Sequence, residues 1–122
     1  MANVYGKKTR IRNDFPSAAR TSTVASEGSA LPEAFDESLL MINITAVSGT
    51  APTLVVSYQV SPDDGTTWFT KSSTATLSAT GQTLVTLPDT IGRFYRLNAV
   101  IGGTTPSFTF AAWVEFKRTG EG

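Results

Sequence analysis

Asp63, Asp64 and Gly65, followed by Thr66 and Thr67, bring two adjacent carboxylates and two hydroxyls into one short stretch. Oxygen-rich turns can hold calcium, but that cation takes about 6 to 8 oxygens and more carboxylates than this segment offers. Tight-turn chemistry accounts for the stretch without a metal, because aspartates bond their own backbone and glycine accepts positive φ. Glu33, Asp36 and Glu37 make a second acidic cluster with no basic or metal-binding neighbour in sequence. They read as a solvated loop or as a contact for basic residues on a neighbour. The chain has no histidine and no cysteine. That removes the common general base, the usual serine triad, the thiolate and the ordinary zinc site. Any reaction would fall to carboxylates, lysine or tyrosine, so no catalytic residues, no cofactor and no metal are expected, and an enzyme is the weakest class.

Charge is balanced in total and uneven in place. Of ten basic and ten acidic residues, Lys7, Lys8, Arg10, Arg12 and Arg20 face only Asp14 within the first twenty positions. A basic leader therefore precedes a mildly acidic body. The stretch Gly6 to Arg12 invites a nucleic-acid reading, since Lys and Arg neutralise phosphates. It lacks interleaved aromatics and the signature of a nucleic-acid module, so contact with an acidic protein surface ranks above it. Residues 1–20 show no sustained period, and Gly6 and Pro16 interrupt them. They are expected to form an extended arm that orders on a partner, with Tyr5, Ile11 and Phe15 as apolar anchors and Lys7, Lys8, Arg10 and Arg12 as charges.

These residues need a scaffold, and the periodicity downstream is that of strands. Leu54, Val56, Tyr58 and Val60 alternate with more polar neighbours, the pattern of a half-buried strand. Pro62 to Gly65 stop it, and Trp68 opens the next. Leu40, Ile42 and Ile44 share one face of an earlier strand. Tyr95, Leu97, Ala99 and Ile101 share a face of a later one, as do Phe108, Phe110, Ala112, Val114 and Phe116 in the last. Ser48 to Pro52 read as a turn, and Gly102 to Pro106 as a hairpin. No helical period, no internal repeat, no membrane-length apolar run and no signal peptide are found.

At 122 residues the expectation is a single all-β domain, an antiparallel sandwich of jelly-roll or immunoglobulin-like type with about six to eight strands. A small barrel is its main rival. The arm would span 1–20, the sandwich 21–118, and 119–122 would fray. Phe94 and Trp113 fall on the polar sides of their strands, either capping the sandwich ends or forming a surface aromatic patch. Arg96 is placed to reach Glu115 across strands.

The segments VSPDDGTTW, GQTLVTLP and GRFYRLNAVIGGTTPSFTFAAWVEF, in that order over roughly 38–118, together resemble small β-sandwich virion proteins of tailed bacteriophages. In those proteins a DDG-type turn precedes Trp, a later strand begins with Gly-Arg-aromatic, and a Gly-Gly hairpin precedes an aromatic-rich final strand. The resemblance implies a non-enzymatic structural role in the particle. Its leading form is a capsid decoration or cement protein, a homo-oligomer with a trimer favoured, whose arm and sandwich edge bind the major capsid protein. Its alternative is a head-tail, neck or tail component. A third reading, from a different class, is a carbohydrate-binding module stacking sugars on Trp68, Trp113 or Tyr95.

Overall fold

The computed structural model describes residues 8–30, 37–87 and 94–118, with no helix among them. Tyr5, Lys7, Glu33, Asp36, Arg93, the corner at Pro88 and the terminal residues 119–122 lie outside the described residues. Among the described residues seven strands follow in chain order: β1 (Lys8–Arg20), β2 (Val24–Ala25), β3 (Ser29–Ala30), β4 (Glu37–Ser61), β5 (Phe69–Ser73), β6 (Gly81–Leu87) and β7 (Phe94–Arg118).

The spine is the antiparallel pair of β4 and β7, each 25 residues long. Over 37–48 and 107–118 it is flanked by β6 and β1; over 53–61 and 94–102 it is flanked by β5 on one side and by β2 and β3 on the other. These are two leaves that share their central strands, termed here the first and second leaf. They fold face to face. Tyr95 and Phe116 stand near opposite ends of β7, yet their rings meet edge-on at 5.1 Å. Strict alternation sends Leu40, Ile42, Ile44, Leu54, Val56 and Tyr58 inward from β4, and Tyr95, Leu97, Phe108, Phe110, Val114 and Phe116 inward from β7, into one core. Each large apolar side chain so buried contributes roughly 1.5–3 kcal/mol. The expected sandwich is the observed architecture.

Two expected turns are not turns. Gly49-Thr50-Ala51-Pro52 and Gly103-Thr104-Thr105-Pro106 are bends inside β4 and β7, flanked by register shifts, and pairing with the same partner strand resumes beyond them. A bulge deflects a strand without reversing it. Gly49 and Gly103 adopt φ of 109° and 116°, and Ala51 and Thr105 adopt 50° and 45°. A Cβ on Gly49 would stand 2.6 Å from the Thr105 carbonyl oxygen; one on Gly103 would stand 2.7 Å from that of Ala51. Each glycine thus admits the backbone of the other bend, and the two leaves are related by an approximate twofold between them. The Gly-Thr-x-Pro pair is an internal repeat that the sequence reading missed.

The expected arm is also corrected over residues 8–20. They form β1, an edge strand hydrogen-bonded to β7, with irregularities between Asn13 and Phe15 and between Phe15 and Ala18. Those bulges scramble the period that would have revealed the strand, and they turn Phe15 into the core, 3% exposed and edge-on to Phe110 at 5.4 Å. Pro16 sits in the irregular stretch of this edge strand, where proline is tolerated. Arg20 closes the end: its guanidinium donates to the carbonyls of Phe110 (2.9 Å) and Pro16 (2.6 Å) and lies over both Phe15 and Phe110 rings.

Candidate functional site

Of the residues expected to bind a partner, Ile11, Arg12 and Phe15 have described side chains, and these three do not share one face. Alternation along β1 puts Ile11 on the outer face, 59% exposed, while Arg12 and Phe15 turn towards the other leaf. Lys8 and Arg10 are placed only by register, opposite Arg118 and Phe116. Phe94 and Trp113 are both half-buried but lie on opposite leaves, because β7 crosses from one leaf to the other between them. For the same reason Arg96 does not meet Glu115. Its Nε donates to Gln59 at 2.7 Å, and its guanidinium covers the Trp68 ring at 4.5 Å.

A polar cluster built from β1, β3 and β7 joins the leaves. The Asp14 carboxylate, 4% exposed, accepts the Tyr95 hydroxyl at 2.8 Å and lies 4.0 Å from the Arg12 guanidinium. Arg12 in turn donates to Ser29 on β3 and stands over the Tyr95 ring. Burial raises the Asp14 carboxyl above its ordinary 3.8, and Tyr95 and Arg12 oppose that shift. Burial, and then the Asp14 charge, push Tyr58 and Tyr95 up. Tyr58 stacks on Tyr95 at 5.6 Å. The cluster fastens β1 across the sandwich, and with Tyr95 fully buried it offers no sugar platform. Only the lone acid in a basic leader could have drawn attention to it.

The outer faces differ. On the second leaf, Gln59 accepts from Arg96 and donates to Thr70 at 3.0 Å, and Ser57 bonds Ser73 at 2.8 Å. Trp68 is covered by Arg96 and packs so closely on Gly28 that a Cβ there would lie 2.9 Å from its ring. On the first leaf a row across the strands runs Asn13, Trp113, Met41, Leu84, beside a second row of Ala111, Asn43 and Gln82. Leu84 is 66% exposed. Met41, Asn43, Gln82, Thr83, Leu84 and Trp113 line a groove of about 440 Å³. A second groove of about 280 Å³ continues along β4, lined by Glu37, Leu39, Thr86, Glu115 and Lys117.

The Asp63 turn behaves as a backbone cap. One Asp63 oxygen accepts from the Ser61 hydroxyl (2.8 Å) and from the N–H groups of Thr66 (3.2 Å) and Thr67 (2.7 Å); the Thr67 hydroxyl, then the Thr67 N–H and the Ser61 hydroxyl, hold the carboxyl down at about 2. Among the described residues no cluster of three or more metal-ligating side chains occurs.

No family model and no curated protein matches the chain. Its whole length superposes on 39% of the PBSX exported protein XepA, with a TM-score of 0.62 and 16% identity. Over 92% of its length it superposes on 32% of a chain in the structure of infectious bursal disease virus, Gx strain, with a TM-score of 0.63 and 12% identity. These likenesses establish the fold, and the chain spans well under half the length of either chain it resembles.

Proposed function

We propose that the chain is a non-enzymatic structural protein of a virus particle of the tailed-phage kind, seated on the capsid as a decoration or cement protein in homo-oligomeric form. The likeness of its fold to a chain of a virus and to a phage exported protein supports the class. The single observation that carries the mode of attachment is β1, an edge strand of 13 residues that has β7 on one side and no strand on the other among the described residues. An unpaired edge is a template for main-chain pairing with another chain. Here it also carries Lys8 and Arg10, charges suited to an acidic shell surface. Over residues 8–20 the expected arm and the sandwich edge are one element.

The test is a reconstruction of the particle whose genome encodes the chain, together with co-sedimentation of the purified protein with undecorated shells. Density over the shell, with β1 against the major capsid protein, and reduced co-sedimentation of a Lys8→Glu/Arg10→Glu variant are expected. Absence from purified particles would overturn the reading. Density confined to the neck or tail would replace the decoration role with the head-tail one.

A further inference from the structure

Edge docking through β1 leaves the groove on the outer face of the first leaf unused. Its composition is specific. Trp113 supplies an indole, Met41 and Leu84 supply apolar flanks, and Asn43 and Gln82, directly opposite each other on β4 and β6, supply two planar amides. No charged side chain lines it, and neither amide has a side-chain partner among the described residues.

We propose that this groove is a binding site for a neutral oligosaccharide. A pyranose ring presents an apolar C–H face and a rim of hydroxyls that both donate and accept. The C–H face would lie on the Trp113 indole, and the Asn43 and Gln82 amides, each with a donor and an acceptor end, match the rim. The volume of about 440 Å³ falls within the range of about 300–1,000 Å³ for small-ligand pockets. Charge selects among occupants. The adjoining groove carries a Glu37–Lys117 ion pair at 3.3 Å and Glu115 beside it, a net negative balance that disfavours phosphates and uronic acids and leaves the Glu115 carboxylate to accept from the hydroxyls of a further sugar unit. A hydrocarbon chain would leave both amides desolvated and unpaired. The second leaf is an internal control, since Trp68 is covered by Arg96 and Gln59 is already bonded on both sides. The site does not depend on the virion reading, and either can fail alone.

The chain has two tryptophans, so Trp68→Phe leaves Trp113 as the only indole reporter. That variant would be titrated with neutral oligomers of glucose, galactose, mannose and N-acetylglucosamine, and with an oligouronate. A saturable change in Trp113 emission with at least one neutral oligomer, and a weaker one with the oligouronate, is expected. In the otherwise native chain, followed by calorimetry, Asn43→Ala and Gln82→Ala should each weaken binding by about tenfold. Both positions are solvent-accessible, so these variants keep the test meaningful if Trp113→Ala fails to fold. The site is refuted if no neutral oligomer on the panel binds, or if binding survives Trp113→Ala. It is equally refuted if, at concentrations where sedimentation shows an oligomer, Trp113 emission in the Trp68→Phe chain resists a soluble quencher, because a second copy then covers the indole.

Discussion

The two leaves match inside and diverge outside. Their inward residues correspond one for one across the approximate twofold: Leu40 with Tyr95, Ile42 with Leu97, Ile44 with Ala99, then Leu54 with Phe108, Val56 with Phe110 and Tyr58 with Ala112, all buried. Outside, the second leaf spends its polar groups on itself through Arg96, Gln59, Thr70, Ser57 and Ser73. The first leaf leaves Trp113, Met41 and Leu84 beside amides without side-chain partners. Core packing demands only the inner pattern, so an outer face that differs between two equivalent leaves points to contact with something else.

The hardest challenge to this comparison is to break the twofold itself. Gly49→Ala and Gly103→Ala each force a Cβ against backbone atoms at a positive φ. Each should cost about 3 kcal/mol or more in urea unfolding. Gly102→Ala is the control, since its Cβ would meet only the Thr53 hydroxyl and should cost about 1 kcal/mol or less. Equivalent leaves require the first two variants to fail alike. If one is tolerated, the two bends are not equivalent.

Next in size is the contrast between inward and outward residues of the first leaf. Phe15→Ala empties a core position against Phe110 and should lose about 3–5 kcal/mol. Leu84→Ala, largely exposed, should stay within about 0.5 kcal/mol of the native chain. A small loss at Phe15 would return β1 to the status of a detachable arm.

The inner plan was legible in the sequence, because period 2 is undisturbed from Leu54 to Tyr58, from Tyr95 to Ala99 and from Phe108 to Phe116. What escaped lies where the period breaks. β1 carries bulges around Phe15, so its strand character is hidden, and its charge then suggested an arm. Gly49 and Gly103 look like turn residues, and glycine serves a turn and a bend equally well; only the repeated Gly-Thr-x-Pro separates them. Of the candidate site residues, Trp113 was legible as an aromatic on a polar face. Its neighbours Asn43, Gln82 and Leu84 were not, because which strand lies beside which is long-range information. Phe94 was paired with Trp113 only because β7 was read as two hairpin strands.

The Asp14 cluster ties β1 to the second leaf, and its dependence on pH sharpens what that link does. The folded Asp14 carboxyl titrates above its ordinary 3.8 because burial outweighs Tyr95 and Arg12. A carboxyl raised in this way holds its proton more tightly in the folded state. Its contribution is complete below the ordinary value and is lost as pH rises through the folded one. Asp14→Asn keeps an acceptor for Tyr95 and removes the titration. Relative to that variant, the native chain should therefore lose stability as pH climbs from about 4 towards neutral. Parallel stability curves for the two proteins would show that the carboxylate is fully compensated by its partners.

The smallest effect belongs to Asp63, and its sign is opposite. Its carboxyl is held at about 2 by the hydroxyl and backbone donors of the turn. Its contribution is thus present above the ordinary 3.8 and lost as pH falls towards 2. The group is fully exposed, so solvent screens it, and the change in urea midpoint between about pH 5 and pH 3 should be slight. Asp63→Asn should flatten that acid limb while leaving the neutral limb to Asp14. Because the two carboxyls act in opposite directions, acidifying the native chain shows only their difference, and the two single variants measured side by side separate the buried tie between leaves from the exposed cap on the β4–β5 turn. An acid limb unchanged by Asp63→Asn would mean that the turn is held by Ser61 and the backbone alone.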